Sequence, residues 1–217
     1  MKTEFNMQIA VKNIIAMRRK AKPEDVAHGV AWYAEAYEQC RIIADRFNLP
    51  IHIVTGVVAA LSPNNRWELN IRNANDLICA FTTGSTMDDV SVCTYSTMKQ
   101  KAWSILEQMP DRYEENDTLI VDEVKTILNG KKIICFYENI MGDDTCTIDG
   151  HARNIVYKER ISLHDSKLTI GVKEYRNLTG CYIAATKRIN KENSTSYLPY
   201  QIQAITWCAW RRLHGIK

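Results

Sequence analysis

Apolar residues recur every three or four positions along most of the chain, which predicts helices rather than strands. Behind Pro23, a residue suited to a first helical turn, Val26, Val30, Tyr33, Ala34, Tyr37 and Ile42 fall at helical spacing. Asn48-Leu49-Pro50 ends that helix and opens another, Ile51 through Ala60, which is apolar nearly all round and so expected at the centre of a core. Ser62-Pro63-Asn64-Asn65 breaks it, because serine, proline and asparagine favour turns. Helical spacing resumes from Trp67 to Phe81, and 84–94 reads as a loop. Further helices are predicted at 96–108, 118–128, 131–141, 150–158, 173–190 and 199–214. No run of strict alternation marks a strand. The predicted fold class is all-α, with about nine or ten helices and no repeat or linker that cuts the chain.

Composition narrows the setting. At 46% hydrophobic and 24% charged, with only 9 glycines and 5 prolines, the 217 residues suit one globular unit and not a disordered chain. The longest apolar stretch, Ile51 to Leu61, is far short of the roughly 20 residues a membrane span needs. The N-terminus has no signal-peptide core. A cytoplasmic monomer is expected, in the infected host's cytoplasm if the source is viral, with no membrane partner. The seven cysteines (40, 79, 93, 135, 146, 181 and 208) are odd in number and none has the close spacing of zinc or iron–sulfur ligands. They read as reduced thiols, and neither metal nor cofactor is predicted. His28, His52, His164 and His214 likewise lie outside ligand spacing.

The net charge of +3 matters less than its distribution. Residues 1–22 carry Lys2, Lys12, Arg18, Arg19, Lys20 and Lys22 against a single Glu4. The stretch 107–123 carries seven acids against Arg112, and Arg211, Arg212 and Lys217 make the C-terminus basic again. Such asymmetry lets one face meet a polyanion while another repels it, and it also suits a mosaic of solvated helix faces.

Residues 118–158 hold the most chemistry. A helix ending at Leu128 turns through Asn129-Gly130, two residue types that accept positive φ, and Lys131-Lys132 opens the next helix. Backbone N–H groups at such an opening, with two lysines beside them, suit a phosphate. Downstream, Asp149 in Ile148-Asp149-Gly150-His151-Ala152-Arg153 has the place of an N-cap, where a helix terminus favours negative charge. His151 and Arg153 flank it and are positioned for a phosphate contact or for a solvated first turn. All five tryptophans fall on predicted helices, where core packing is the default. Trp67 follows the 62–66 turn closely enough to stack on a base as well.

This layout resembles the helix-hairpin-helix DNA glycosylases, the endonuclease III superfamily. Lys131 and Asp149 stand 18 positions apart, as do that family's hairpin lysine and the aspartate of its Val-Asp-x-His motif. Met141-Gly142 stands where the family often has Phe-Gly, and Ile148-Asp149-Gly150-His151 is similar to the motif itself. Upstream, Lys101-Ala102 and Ile105 match a helix of the form x-N-x-K-A-x-x-I, and Ala60-Leu61-Ser62-Pro63-Asn64-Asn65-Arg66-Trp67 resembles the element that fills the hole left by a flipped base. The hairpin is shorter than the family's Leu-Pro-Gly-x-Gly-x-Lys and lacks its first glycine, which leaves Lys131 and Lys132 both open as the nucleophile. The four-cysteine iron–sulfur loop of many relatives is absent, and the segment 197–207 looks more like small glycosylase-fold proteins of tailed bacteriophages.

The resemblance implies a two-lobed glycosylase-like fold within a single unit, 1–217. One lobe would cover approximately 50–130, and the other approximately 1–49 plus 131–217. It implies DNA as partner and a base-flipping enzyme acting at the base or the N-glycosidic bond. Asp149 and Lys131 or Lys132 would be catalytic, with Ser62, Asn64, Asn65, Arg66, Asn129, Gly130, His151 and Arg153 contacting DNA. Two alternatives keep the fold: a phage enzyme of DNA base hypermodification, and a DNA- or nucleotide-binding protein without catalysis.

Overall fold

The structure is a computed structural model that describes residues 5–108, 117–163, 165 and 168–216. His164, residues 109–116 of the acidic run, and Lys2, Glu4 and Lys217 lie outside the described residues. Among the described residues the regular structure is entirely helical. In chain order the helices are α1 (Met7–Arg19), α2 (Pro23–Phe47), α3 (Ile51–Leu61), α4 (Trp67–Thr82), α5 (Ser96–Gln108), α6 (Asp117–Leu128), α7 (Lys131–Ile140), α8 (Gly150–Tyr157), α9 (Val172–Asn193) and α10 (Pro199–His214). A 3-10 turn, Met87–Asp89, interrupts the loop between α4 and α5. The all-α class holds, and α1 lies outside the helices predicted from periodicity.

The chain forms two compact units, one of Met1–Tyr33 with Asp144–Lys217 and one of Ala34–Asp143. The dividing points fall inside α2 and just after α7. The second unit is built around α3, where every residue from Ile53 to Leu61 is buried. Helices α4, α5, α6 and α7 surround it. An all-round apolar helix has no face to offer water, so it is stable only inside such a ring. Gly56 sets the closest approach: a Cβ there would fall 2.7 Å from Val124 Cγ1 of α6. Asn48 ends α2 in the left-handed region at φ 51°, and Leu49 N–H bonds back to the Ala44 carbonyl.

In the first unit, α1 lies against α8, α9 and α10 through Ala10, Ile14, Ile15 and Met17. Gly29 of α2 approaches α10 so closely that a Cβ would sit 2.5 Å from the Ile205 backbone nitrogen. Asp25, buried near the start of α2, pairs with Arg212 at 2.8 Å and accepts the Lys22 N–H at 2.8 Å. Burial works to raise the Asp25 carboxyl's pKa, but the Arg212 hydrogen bond and the Lys22 amide outweigh it and hold it below the usual range.

Candidate functional site

The segment leading to Asp149 is held from behind. Cys146, Thr147 and Ile148 are buried, and the Tyr175 hydroxyl of α9 accepts the Ile148 N–H and donates to the Cys146 carbonyl, both at 3.0 Å. Asp149 then leaves the chain extended and caps α8, its Oδ1 accepting the Ala152 N–H at 2.7 Å. Its other oxygen, Oδ2, accepts the indole N–H of Trp207 from α10 at 3.1 Å. Two elements thus fix the two oxygens of one half-buried carboxylate. Tyr182 lies fully buried nearby, with its hydroxyl 3.5 Å from Thr206 Oγ1. Burial, with the charges of Cys146 and Asp149 adding to it, pushes the Tyr182 phenol well above its ordinary pKa, against the opposing Thr206 contact.

Gly150 lies close to two leucine side chains: a Cβ there would fall 2.5 Å from Leu163 Cδ2 and 2.9 Å from Leu168 Cδ2, so those side chains would have to shift. His151 is buried. Arg153 pairs with Glu174 at 2.9 Å and Glu159 at 3.1 Å and lies 4.5 Å over the Tyr157 ring, so its charge is spent within its own unit. Asp149, His151 and Arg153 all belong to the unit containing α8.

The remaining sequence candidates belong to the unit of residues 34–143. At the hairpin Asn129 takes positive φ (40°), whereas Gly130 is extended. Lys101 of α5 donates its ammonium to the Leu128 carbonyl, closing the end of α6 just before the turn. Burial lowers the Lys101 pKa. Beside it Ala102 and Ile105 are fully buried, which gives the Lys-Ala-x-x-Ile pattern a packing role. Among the described residues no side chain caps α7 at Gly130, and Lys131 and Lys132 are both exposed at its first turn. The ion pair of Lys125 and Glu138, at 3.0 Å, ties α6 to α7.

The 62–66 turn sorts its residues by direction. Ser62 donates to the Ala59 carbonyl at 2.9 Å, and the Asn65 amide donates to the Leu61 carbonyl at 3.2 Å and to Asn73 Oδ1 at 3.4 Å. Both close the end of α3. Asn64, at φ 54°, and Arg66 are exposed, and among the described residues nothing holds their side chains. Trp67 packs edge-on against Phe136 of α7, with ring centroids 6.5 Å apart.

Trp207 carries a role the sequence did not announce. It stood among core residues, and its contact to Asp149 crosses 58 positions of chain. Arg211, one turn further along α10, lies with its guanidinium carbon 4.3 Å from the indole centre. The Trp-x-x-x-Arg spacing signals that stack, since residues four apart on a helix face each other, but not the contact to Asp149.

Charge separates the units as well. Counted over the whole sequence, 1–33 with 144–217 holds 18 basic and 9 acidic side chains, and 34–143 holds 10 and 16. Among the described residues no group of three or more His, Cys, Asp or Glu is placed to hold a metal ion, and no helix is long and apolar enough to cross a membrane. A family model matches residues 1–214. The chain belongs to DUF7178, a family of unknown function. No curated protein and no solved structure matches it.

Proposed function

We propose that this member of DUF7178 is a DNA-binding, base-flipping enzyme that acts at the base or the N-glycosidic bond of an extruded nucleotide, with Asp149 as its catalytic carboxylate. The observation that carries this reading is the fixing of both Asp149 oxygens, one on the α8 N-terminus and one on the Trp207 indole, in a residue that is only half buried. A carboxylate with its orientation fixed in advance stabilises positive charge developing on a deoxyribose ring, or takes a proton from an attacking water, at no cost of reorganisation. The net positive charge of the same unit supports a polyanionic substrate. Asn64 and Arg66 suit the vacated base stack and its flanking phosphate, since both project from the turn. The uncapped first turn of α7, with Asn129 and Gly130 before it and Lys131 and Lys132 on it, suits a second phosphate.

A non-catalytic DNA-binding protein is the second reading, and one observation favours it: both Asp149 oxygens already have partners. Asp149→Asn separates the two. Asparagine keeps an oxygen for the cap but loses the charge. Incubation with a panel of modified-base DNAs, followed by mass spectrometry of released and altered bases, should give product with the wild type and none with the variant, at similar DNA affinity. Product from Asp149→Asn within a few-fold of wild type removes Asp149 from the mechanism.

A further inference from the structure

Among the described residues, no carboxylate of the chain pairs with Arg211. Its neighbour Arg212 is committed to Asp25 and to the Lys20 carbonyl, and Arg153 to Glu159 and Glu174. Arg211 is instead held by its stack on Trp207, the ring that donates to Asp149. Stacking fixes the guanidinium plane while leaving its edge, where the N–H donors lie, available to an acceptor. The end of α10 is also electropositive. His214, tilted against Trp210 at a 4.0 Å centroid distance, is held below the usual imidazole range by burial and by Arg160, His151 and Lys20.

A fork of donors placed in advance and lacking an acceptor fits a phosphate, which arginine takes in a bidentate grip. The carboxylate at the indole N–H of Trp207 repels an anion, so the ligand would set its phosphate on Arg211 and turn its uncharged sugar toward Asp149. We propose that Arg211 binds the phosphate of the nucleotide on which Asp149 acts, with Trp207 as the shared support that sets the spacing between the two. This rests on the reading of Asp149 given above and names its substrate contact. The phosphate belongs to a DNA strand or to a free nucleotide, and the chemistry of the grip is the same for both.

The test measures binding of two probes, a labelled duplex with a tetrahydrofuran abasic analogue and thymidine monophosphate, to wild type, Arg211→Gln and Arg211→Lys. For the source of the phosphate that applies, Arg211→Gln should weaken binding by about five- to tenfold. On the duplex it should also flatten the salt dependence by about one counterion. Arg211→Lys keeps the charge but not the stacked fork, so it should bind a few-fold more weakly with the duplex slope unchanged. A loss on the duplex alone assigns the phosphate to the DNA strand, and a loss on the monophosphate alone assigns it to a free nucleotide. Arg211→Gln binding both probes as wild type does overturns the proposal while leaving Asp149's role standing. If Arg211→Gln does not fold, Arg211→Lys with wild-type affinity for both probes overturns it equally. A wild type that binds neither probe overturns this proposal and the DNA-enzyme reading together.

Discussion

At the scale of single residues, what distinguishes Asp149 from an ordinary helix cap is its second hydrogen bond. Asp149→Ala removes the cap and the acceptor for Trp207, and should cost about 0.5–2 kcal/mol in a denaturation experiment. Asp149→Asn keeps an oxygen for the cap but sets its NH2 against the indole N–H, donor against donor, so it loses the Trp207 bond and should also be less stable than wild type. Equal stability of all three proteins would mean that neither bond contributes. The lysines are separable in the same way. If Lys131 or Lys132 is a nucleophile, borohydride should trap the wild type on abasic DNA, and alanine at one position only should abolish the adduct. Without a nucleophile, each alanine variant should weaken DNA binding modestly and lower the salt slope by about one.

Among the elements, α2 and α10 meet through Gly29, and the consequence runs against helix propensity. Alanine is favoured over glycine in a helix by about 1 kcal/mol, but here its methyl would press on the Ile205 backbone, which cannot rotate away. Gly29→Ala should therefore lower the unfolding midpoint, and a rise would show that the two helices pack more loosely. The Asp25–Arg212 pair beside that contact gives a pH dependence. Because the folded Asp25 carboxyl lies below its unfolded value of about 3.9, its contribution is complete above that pH and is lost as the pH falls through the folded value. Urea midpoints between about pH 5 and pH 3 should drop more steeply for wild type than for Asp25→Asn. The helices themselves were largely legible in the sequence. The 96–108 periodicity coincides with α5, and Asn48-Leu49-Pro50 and Ser62-Pro63 mark their breaks. Helix α1 was less legible because Lys12 and the basic run 18–22 dilute its apolar pattern, although Ala10, Ile14, Ile15 and Met17 share its buried face. The hairpin was half legible: Asn129 takes the expected positive φ, but Gly130 does not. Asp149 was legible as a cap from local spacing alone. Trp207 as its partner was not, because amphipathic spacing marks a buried face without saying which distant segment lies against it.

Across the whole molecule, charge is divided between the two units, with a basic excess where Asp149 and Arg211 lie and an acidic excess in residues 34–143. A polyanion partner of the basic unit implies affinity that falls steeply with salt, by about 0.9 log units per tenfold of salt for each phosphate neutralised. On the proposed reading, Asn64 and Arg66 in the turn and Lys131 and Lys132 at the hairpin would act as individual contacts, since the overall field of residues 34–143 is acidic. Base extrusion is the central claim, and competition between an abasic and an intact duplex at one salt concentration tests it most directly. An amide that occupies a vacated stack acts only after the base has left, so the wild type should prefer the abasic duplex. Asn64→Ala should lose that preference while keeping its affinity for intact DNA. Asn65→Ala should chiefly destabilise the turn, because its amide closes α3. Equal affinity of the wild type for both duplexes, or a preference that Asn64→Ala retains in full, would contradict the account.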